Sequence, residues 1–367
     1  MHKTSAWPLA LLYMALVVYA SLYPFADWRD QGVAPWAFLA APLPRYWTGF
    51  DVATNVVGYA PLGFLLALSA LRSGVASRAA HAVAIAALAA GSLSLAMETL
   101  QSYLPVRVPS NVDFALNLAG AWGGSVLAWL LERMGAIDRW SRFRERWFVA
   151  DARGALVLLA LWPVALLFPA SVPFGLGQVL ERLEAAVALV LLDTPFLDWL
   201  PVRDVELQPL VPGAELLCVM LGALIPCLLG FCIIRQAGRR VAFVLGVMAI
   251  GIGVTALSAA LSYGPSHAWA WLSLPVRVGL LAALGAALLL LPLPRRGGAA
   301  LMLLALAVHL SLLNQAPTSA YFAQTLQTWE QGRFIRFHGL AQWLGWVWPY
   351  AALVYVLVRV SRAESKN

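Results

Sequence analysis

Residues 50–71 read FDVATNVVGYAPLGFLLALSAL, and this stretch decides the fold. It opens with two polar groups, Asp51 and Asn55, and between Gly63 and Leu71 its only polar side chain is Ser69. A bilayer crossing needs about 20 mostly apolar residues, which this run supplies. The same pattern recurs at Trp7–Phe25, Ala79–Leu100, Val112–Leu131, Gly154–Val172, Val211–Ile234, Val241–Leu261, Leu274–Leu293, Ala299–Leu313 and Gly339–Val358. The expected fold is therefore all-α, a polytopic transmembrane helical bundle of about ten spans. The first run could be a secretory signal, but its charged start is weak and another span follows closely, so it reads as an anchor.

Composition agrees. The chain of 367 residues is 61% hydrophobic and only 12% charged, with a mean hydropathy of +0.76. Soluble domains carry roughly 25% charged residues and cannot bury this much apolar surface. Sixteen tryptophans suit membrane interfaces. The net charge of +7 does not point to nucleic acid, because the basic residues are grouped between spans rather than in one patch. With the N-terminus inside, the inner segments hold most of the 25 Lys and Arg residues. They include Arg133, Arg139, Arg142, Arg144, Arg146 and Arg153. The positive-inside rule then assigns both termini to the cytoplasm.

The Arg-rich stretch 133–153 reads as a cytoplasmic linker between a first membrane domain, 1–132, and a second part, 154–367, of about six spans. The second part contains a long outer segment, 173–210. Within that segment Gly177–Leu192 alternates Glu181, Arg182 and Glu184 with an apolar face, as a helix lying in the interface would. Cys218, Cys227 and Cys232 all lie in one apolar run without a CxxC pair or a neighbouring histidine, and read as small hydrophobes. No cofactor or metal site is expected, since the carboxylates lack companion histidines.

Ionisable groups inside spans are costly, so their placement is informative. Asp51 and Asn55 open the second span, four residues apart and hence on one helical face. Glu98 and Gln101 close the third. Asp113 and Asn117 open the fourth, again four apart, and Arg107 lies in the connection before it. The topology puts all of them at one depth near the outer surface, with Arg45 and Arg107 able to hold the carboxylates in bidentate pairs. Gly58 and Gly63 in the second span, with Gly120 and Gly124 in the fourth, would let helices approach closely. These seven residues form a candidate ligand site. Asp51 and Asp113 also suit helix N-termini, where a carboxylate gains about 0.3–1 kcal/mol without any ligand. Secondary candidates are Arg45, His309, Arg333 and Arg336; a lone His in a span is more often a packing residue, and Arg at a span end more often an anchor.

The ordered set Asn55 with Pro61-Leu62-Gly63-Phe64, then Glu98-Thr-Leu-Gln101, Arg107, and Asp113-Phe-Ala-Leu-Asn117-Leu-Ala-Gly120 resembles the VanZ-like family of bacterial membrane proteins. The resemblance covers about residues 7–132. The tail, with Trp343-Leu344 and Trp346-Val-Trp348-Pro349, is similar to that of extended family members. The resemblance implies a multi-pass protein of the bacterial cytoplasmic membrane. The family takes its name from a protein linked to low-level resistance to teicoplanin, and it implies no catalytic chemistry. The expected function is recognition of an envelope lipid, lipid-linked sugar (a glycan precursor) or glycopeptide at the outer polar site. Two alternatives stay open: an enzyme acting through Glu98 or Asp113, and a structural partner of other envelope proteins. A transporter is disfavoured because spans two to four are apolar in their inner halves.

Overall fold

A computed structural model describes residues 6–23, 25–43, 49–74, 79–168, 170–199, 207–317 and 333–364. Among these the chain forms twelve α-helices, three short 3₁₀ turns and no sheet beyond one isolated bridge, between Phe148 and Ile234. It divides into two compact units, Met1–Phe143 and Arg144–Asn367.

The first unit contains α1 (Ala6–Leu22), α2 (Gly49–Ser73), α3 (Ala79–Gln101) and α4 (Asn111–Arg133). Helices α2 and α4 form its tightest pair, and glycine makes the pairing possible. A Cβ at Gly63 would strike the backbone of Ala121, one at Gly120 the backbone of Val56, and one at Gly124 the carbonyl of Ala60. Where lipid replaces water there is no hydrophobic drive between helices, and small residues gain stability by closer packing. Gly58 departs from expectation: nothing lies within 4 Å of its would-be Cβ. Its carbonyl instead accepts a 2.8 Å hydrogen bond from the Tyr13 hydroxyl of α1. At the opposite end, Arg72 of α2 bridges Glu132 of α4 at 3.1 Å and Asp138 of α5 (Ala136–Trp147) at 2.7 Å. The Arg-rich linker thus opens with a helix whose start is tied to the first bundle.

The second unit contains α6 (Arg153–Leu166), α7 (Leu180–Leu191), α8 (Pro212–Ile233), α9 (Ala237–Tyr263), α10 (Leu274–Leu289), α11 (Arg295–Leu313) and α12 (Arg333–Glu364). Helix α8 is its axis. After Glu215 in its first turn it is apolar all round, and from Cys218 to Ile233 every residue but Met220 is buried, as a helix with no polar face must be. The three cysteines are free and buried in it. At its C-terminal end the Arg240 guanidinium donates to the carbonyl of Phe231 and to those of Leu291 and Leu293 just after α10, placing positive charge where the helix dipoles favour it.

All ten expected spans fall on helices. Seven are long and apolar enough to cross a membrane, while α1, α6 and α10 are shorter. The shortfall in α6 has a local cause. Pro163 lies within it, and Pro169 and Pro173 follow, so the helix stops early and the chain continues as a buried irregular segment. In that segment Val172, Phe174 and Leu176 are buried. Irregular backbone inside an apolar layer must find its partners in protein. Gly177 N–H bonds the Gly345 carbonyl at 2.8 Å. Asn314 donates to Gly177 O and accepts from the N–H groups of Val179 and Leu180 at 3.1 and 3.0 Å. The expected interface helix accordingly starts at Leu180 rather than Gly177, and none of its residues is buried.

Candidate functional site

The site is built where α2 begins, α3 ends and α4 begins. Helix α4 opens with Ser110-Asn-Val-Asp113, a capping-box sequence. The first half of that motif is made: Ser110 Oγ accepts the N–H of Asp113 at 3.3 Å. The second half is rerouted. The Ser110 N–H, which the box would give to the residue at position 113, donates to Glu98 Oε2 of α3 at 2.9 Å. Asp113 is released to accept from Asn55 Nδ2 of α2 at 2.9 Å. One cap thereby ties three helices together.

Below this layer Asn117, one turn after Asp113, donates to Ser94 Oγ at 3.0 Å. Glu98 and Asn117 are only 4% and 5% exposed, so neither can rely on water. The Asp113 carboxylate lies within electrostatic reach of Glu98. Two buried polar atoms are left over: Asn117 Oδ1, and the hydroxyl of Tyr59, each without a hydrogen-bond partner among the described residues. Tyr59 stands in the same neighbourhood as Ser94 and Glu98. Most buried polar groups in proteins are paired, so these two atoms are free to meet a further polar partner.

The structure therefore brings together Asn55, Glu98, Asp113 and Asn117, with Asp51 one turn before Asn55 in the first turn of α2. It gives two others a different task. Gln101 donates to the Ser21 carbonyl at 3.0 Å. Arg107, expected to hold carboxylates, directs three hydrogen bonds onto the Ala20 and Tyr23 carbonyls at 2.6–3.1 Å. Both fasten the end of α1, where free carbonyls attract a cation. Above them the 25–43 segment is held by Arg29 N–H to Tyr103 O, Gln31 Nε2 to Ser102 O and Asn111 Nδ2 to Ala41 O. Arg45 lies outside the described residues, as do the side chains of Arg333 and Arg336. His309 belongs to the core of the second unit, 1% exposed, with Nδ1 3.1 Å from the Cys218 carbonyl, and joins α11 to α8.

Ser94, Ser110 and Tyr59 were missed in the sequence. The first and last repeat the four-residue spacing already in view, Asn55 to Tyr59 and Ser94 to Glu98, so the periodicity extended one turn deeper than the charged residues. Among the described residues no three His, Cys, Asp or Glu side chains gather as a metal centre would need.

A chain whose described residues are helical, with seven long apolar helices among them and a polar network closing one end of the first bundle, is a multi-pass membrane protein. Residues 6–132, the N-terminal third of the chain, match the family model described as VanZ/LLP1. No curated protein and no solved structure matches the chain.

Proposed function

We propose that the first unit is a recognition domain of the bacterial cytoplasmic membrane, binding a lipid, lipid-linked sugar or glycopeptide-type ligand at its outer end. The observation that carries this reading is the pair of buried, unpartnered polar atoms, Asn117 Oδ1 and Tyr59 Oη, beside the buried Glu98 carboxylate. An acceptor amide, a hydroxyl and a carboxylate together favour a ligand rich in N–H or O–H groups, as sugars and glycopeptides are. The outward assignment rests on the distribution of positive charge. Leaving such atoms unsatisfied costs about 1–3 kcal/mol each, a cost that a bound ligand recovers.

The test is native mass spectrometry of the wild type, Glu98→Gln, Asn117→Leu and Tyr59→Phe purified from bacterial membranes, followed by titration with teicoplanin. The wild type should retain a lipid or lipid-linked glycan, or bind teicoplanin, and the three variants should lose it while Gly58→Ala does not. Identical complements in every variant, with no teicoplanin binding by any, would sink the reading.

A further inference from the structure

The second unit holds a cavity of about 320 Å³ between the end of α6, the irregular segment after it, the adjoining ends of α8 and α9, and the loop leading into α10. Its walls include the rings of Phe168, Phe174 and Trp271, the hydroxyls of Ser273 and Thr255, and the carboxylate of Glu215. Three independent observations set it apart from a packing defect.

The first is charge. Glu215 is the one ionisable residue in the wall, and among the described residues it has no ion-pair partner. Among those residues the hydrogen bond its carboxylate accepts is a 3.3 Å contact from Ser273 Oγ. It stands in the first turn of α8, where the helix dipole offsets roughly half an elementary charge. Among the described residues no cationic side chain pairs with it to supply the rest. The second is an orphan: Thr255 Oγ1 is buried in the same wall without a hydrogen-bond partner.

The third is strain. Phe174 has φ +63°, in the left-handed region that a non-glycine residue rarely adopts. It is held there by its neighbours. Its ring lies 6.2 Å from both Trp162 and Trp271, and a Cβ on Gly222 or Gly251 would collide with Phe174. Backbone in such a conformation persists where the surroundings over-determine it, and it clusters at ligand sites.

We infer that this cavity is a binding site for a small organic ammonium group. Aromatic rings attract a cation, and a carboxylate beside them supplies its counter-charge. A cationic head beside Glu215 and a hydrogen bond to Thr255 would answer the charge of the one and the hydroxyl of the other at once. The inference is independent of the first unit. The ammonium could be a free amine or the head of a zwitterionic lipid; the volume suits either.

The experiment is binding to the full-length purified protein, read by isothermal titration calorimetry and thermal shift at matched ionic strength. The probes are ethanolamine, choline, the neutral choline isostere 3,3-dimethylbutan-1-ol, and dioctanoyl phosphatidylethanolamine against dioctanoyl phosphatidylglycerol. An ammonium probe should bind and the neutral isostere should not. Glu215→Gln should weaken binding roughly tenfold or more, because a charge-assisted contact is lost. Thr255→Val should weaken it less. Preference for the ethanolamine lipid over free ethanolamine identifies a headgroup site, and the reverse a soluble amine. Absence of binding by every ammonium probe, equal binding of the isostere, or undiminished binding in a folded Glu215→Gln overturns the inference. Should Glu215→Gln fail to fold, Thr255→Val and the isostere comparison still decide it.

Discussion

Asn55 of α2 donates to Asp113 of α4 across 2.9 Å, and it can do so because Ser110 gives its own N–H to Glu98. The two bonds are therefore linked. Asp113→Ala should leave the Asn55 amide without this acceptor and destabilise the first unit by about 1–3 kcal/mol. Thermal unfolding of the detergent-solubilised protein checks this. Glu98→Gln keeps an acceptor for Ser110 and should cost less than Glu98→Leu in the same assay.

Tyr59→Phe should leave stability unchanged or raise it. Among the described residues the hydroxyl is buried with no partner at hydrogen-bond geometry, so its removal relieves a desolvation penalty of about 1–3 kcal/mol. A drop in melting temperature alongside lost ligand would show that Tyr59 is a structural group instead.

The helix pair α2–α4 should tolerate no side chain at its crossing. Gly120→Val and Gly124→Val direct carbon into backbone, which cannot yield as a side-chain end could. Both should abolish the monodisperse folded peak in size exclusion. Gly58→Ala, with open space around it, should change stability by no more than about 0.5 kcal/mol.

Arg107→Gln should loosen α1 by removing hydrogen bonds onto the Ala20 and Tyr23 carbonyls, at a cost of about 1.5–3 kcal/mol for a charged donor. Arg107→Lys should rescue only part, since an ammonium lacks the planar fork that spans two carbonyls. Limited proteolysis in the 25–43 segment reports the loss: faster cleavage in Arg107→Gln, intermediate in Arg107→Lys.

The native cysteines offer a simple topology assay. Cys218, Cys227 and Cys232 are buried, so intact protein should resist maleimide. Single reporters can then be added to the unaltered chain. Leu43→Cys should label from outside intact cells, and Arg142→Cys only after permeabilisation. The opposite pattern would reverse the orientation that the positive charges imply.

Some of the site was legible in the sequence and some was not. Asp51, Asn55, Glu98, Asp113 and Asn117 stand out because charged and amide groups are scarce in apolar runs, and four-residue spacing puts pairs on one face. Gln101 and Arg107 stand out for the same reason, yet in the structure they bond the end of α1, whose carbonyls have no sequence signature of their own. Tyr59 and Ser94 pass for ordinary span residues until three helices enclose them.

The positions of the apolar helices, and the glycines that α2 and α4 carry, were determined by the sequence itself, since each is a property of a short continuous run and its periodicity. Which acceptor each donor found was decided only by tertiary structure. Ser110 could have bonded Asp113 within its own capping box, and the choice of Glu98 instead depends on placing a separate helix to within a fraction of an ångström, the tolerance of a hydrogen bond. The cavity beside Glu215 is of the same kind. Its walls come from three helices, an irregular segment and the loop leading into α10, and no local pattern announces that Phe174, Thr255 and Glu215 will share one space.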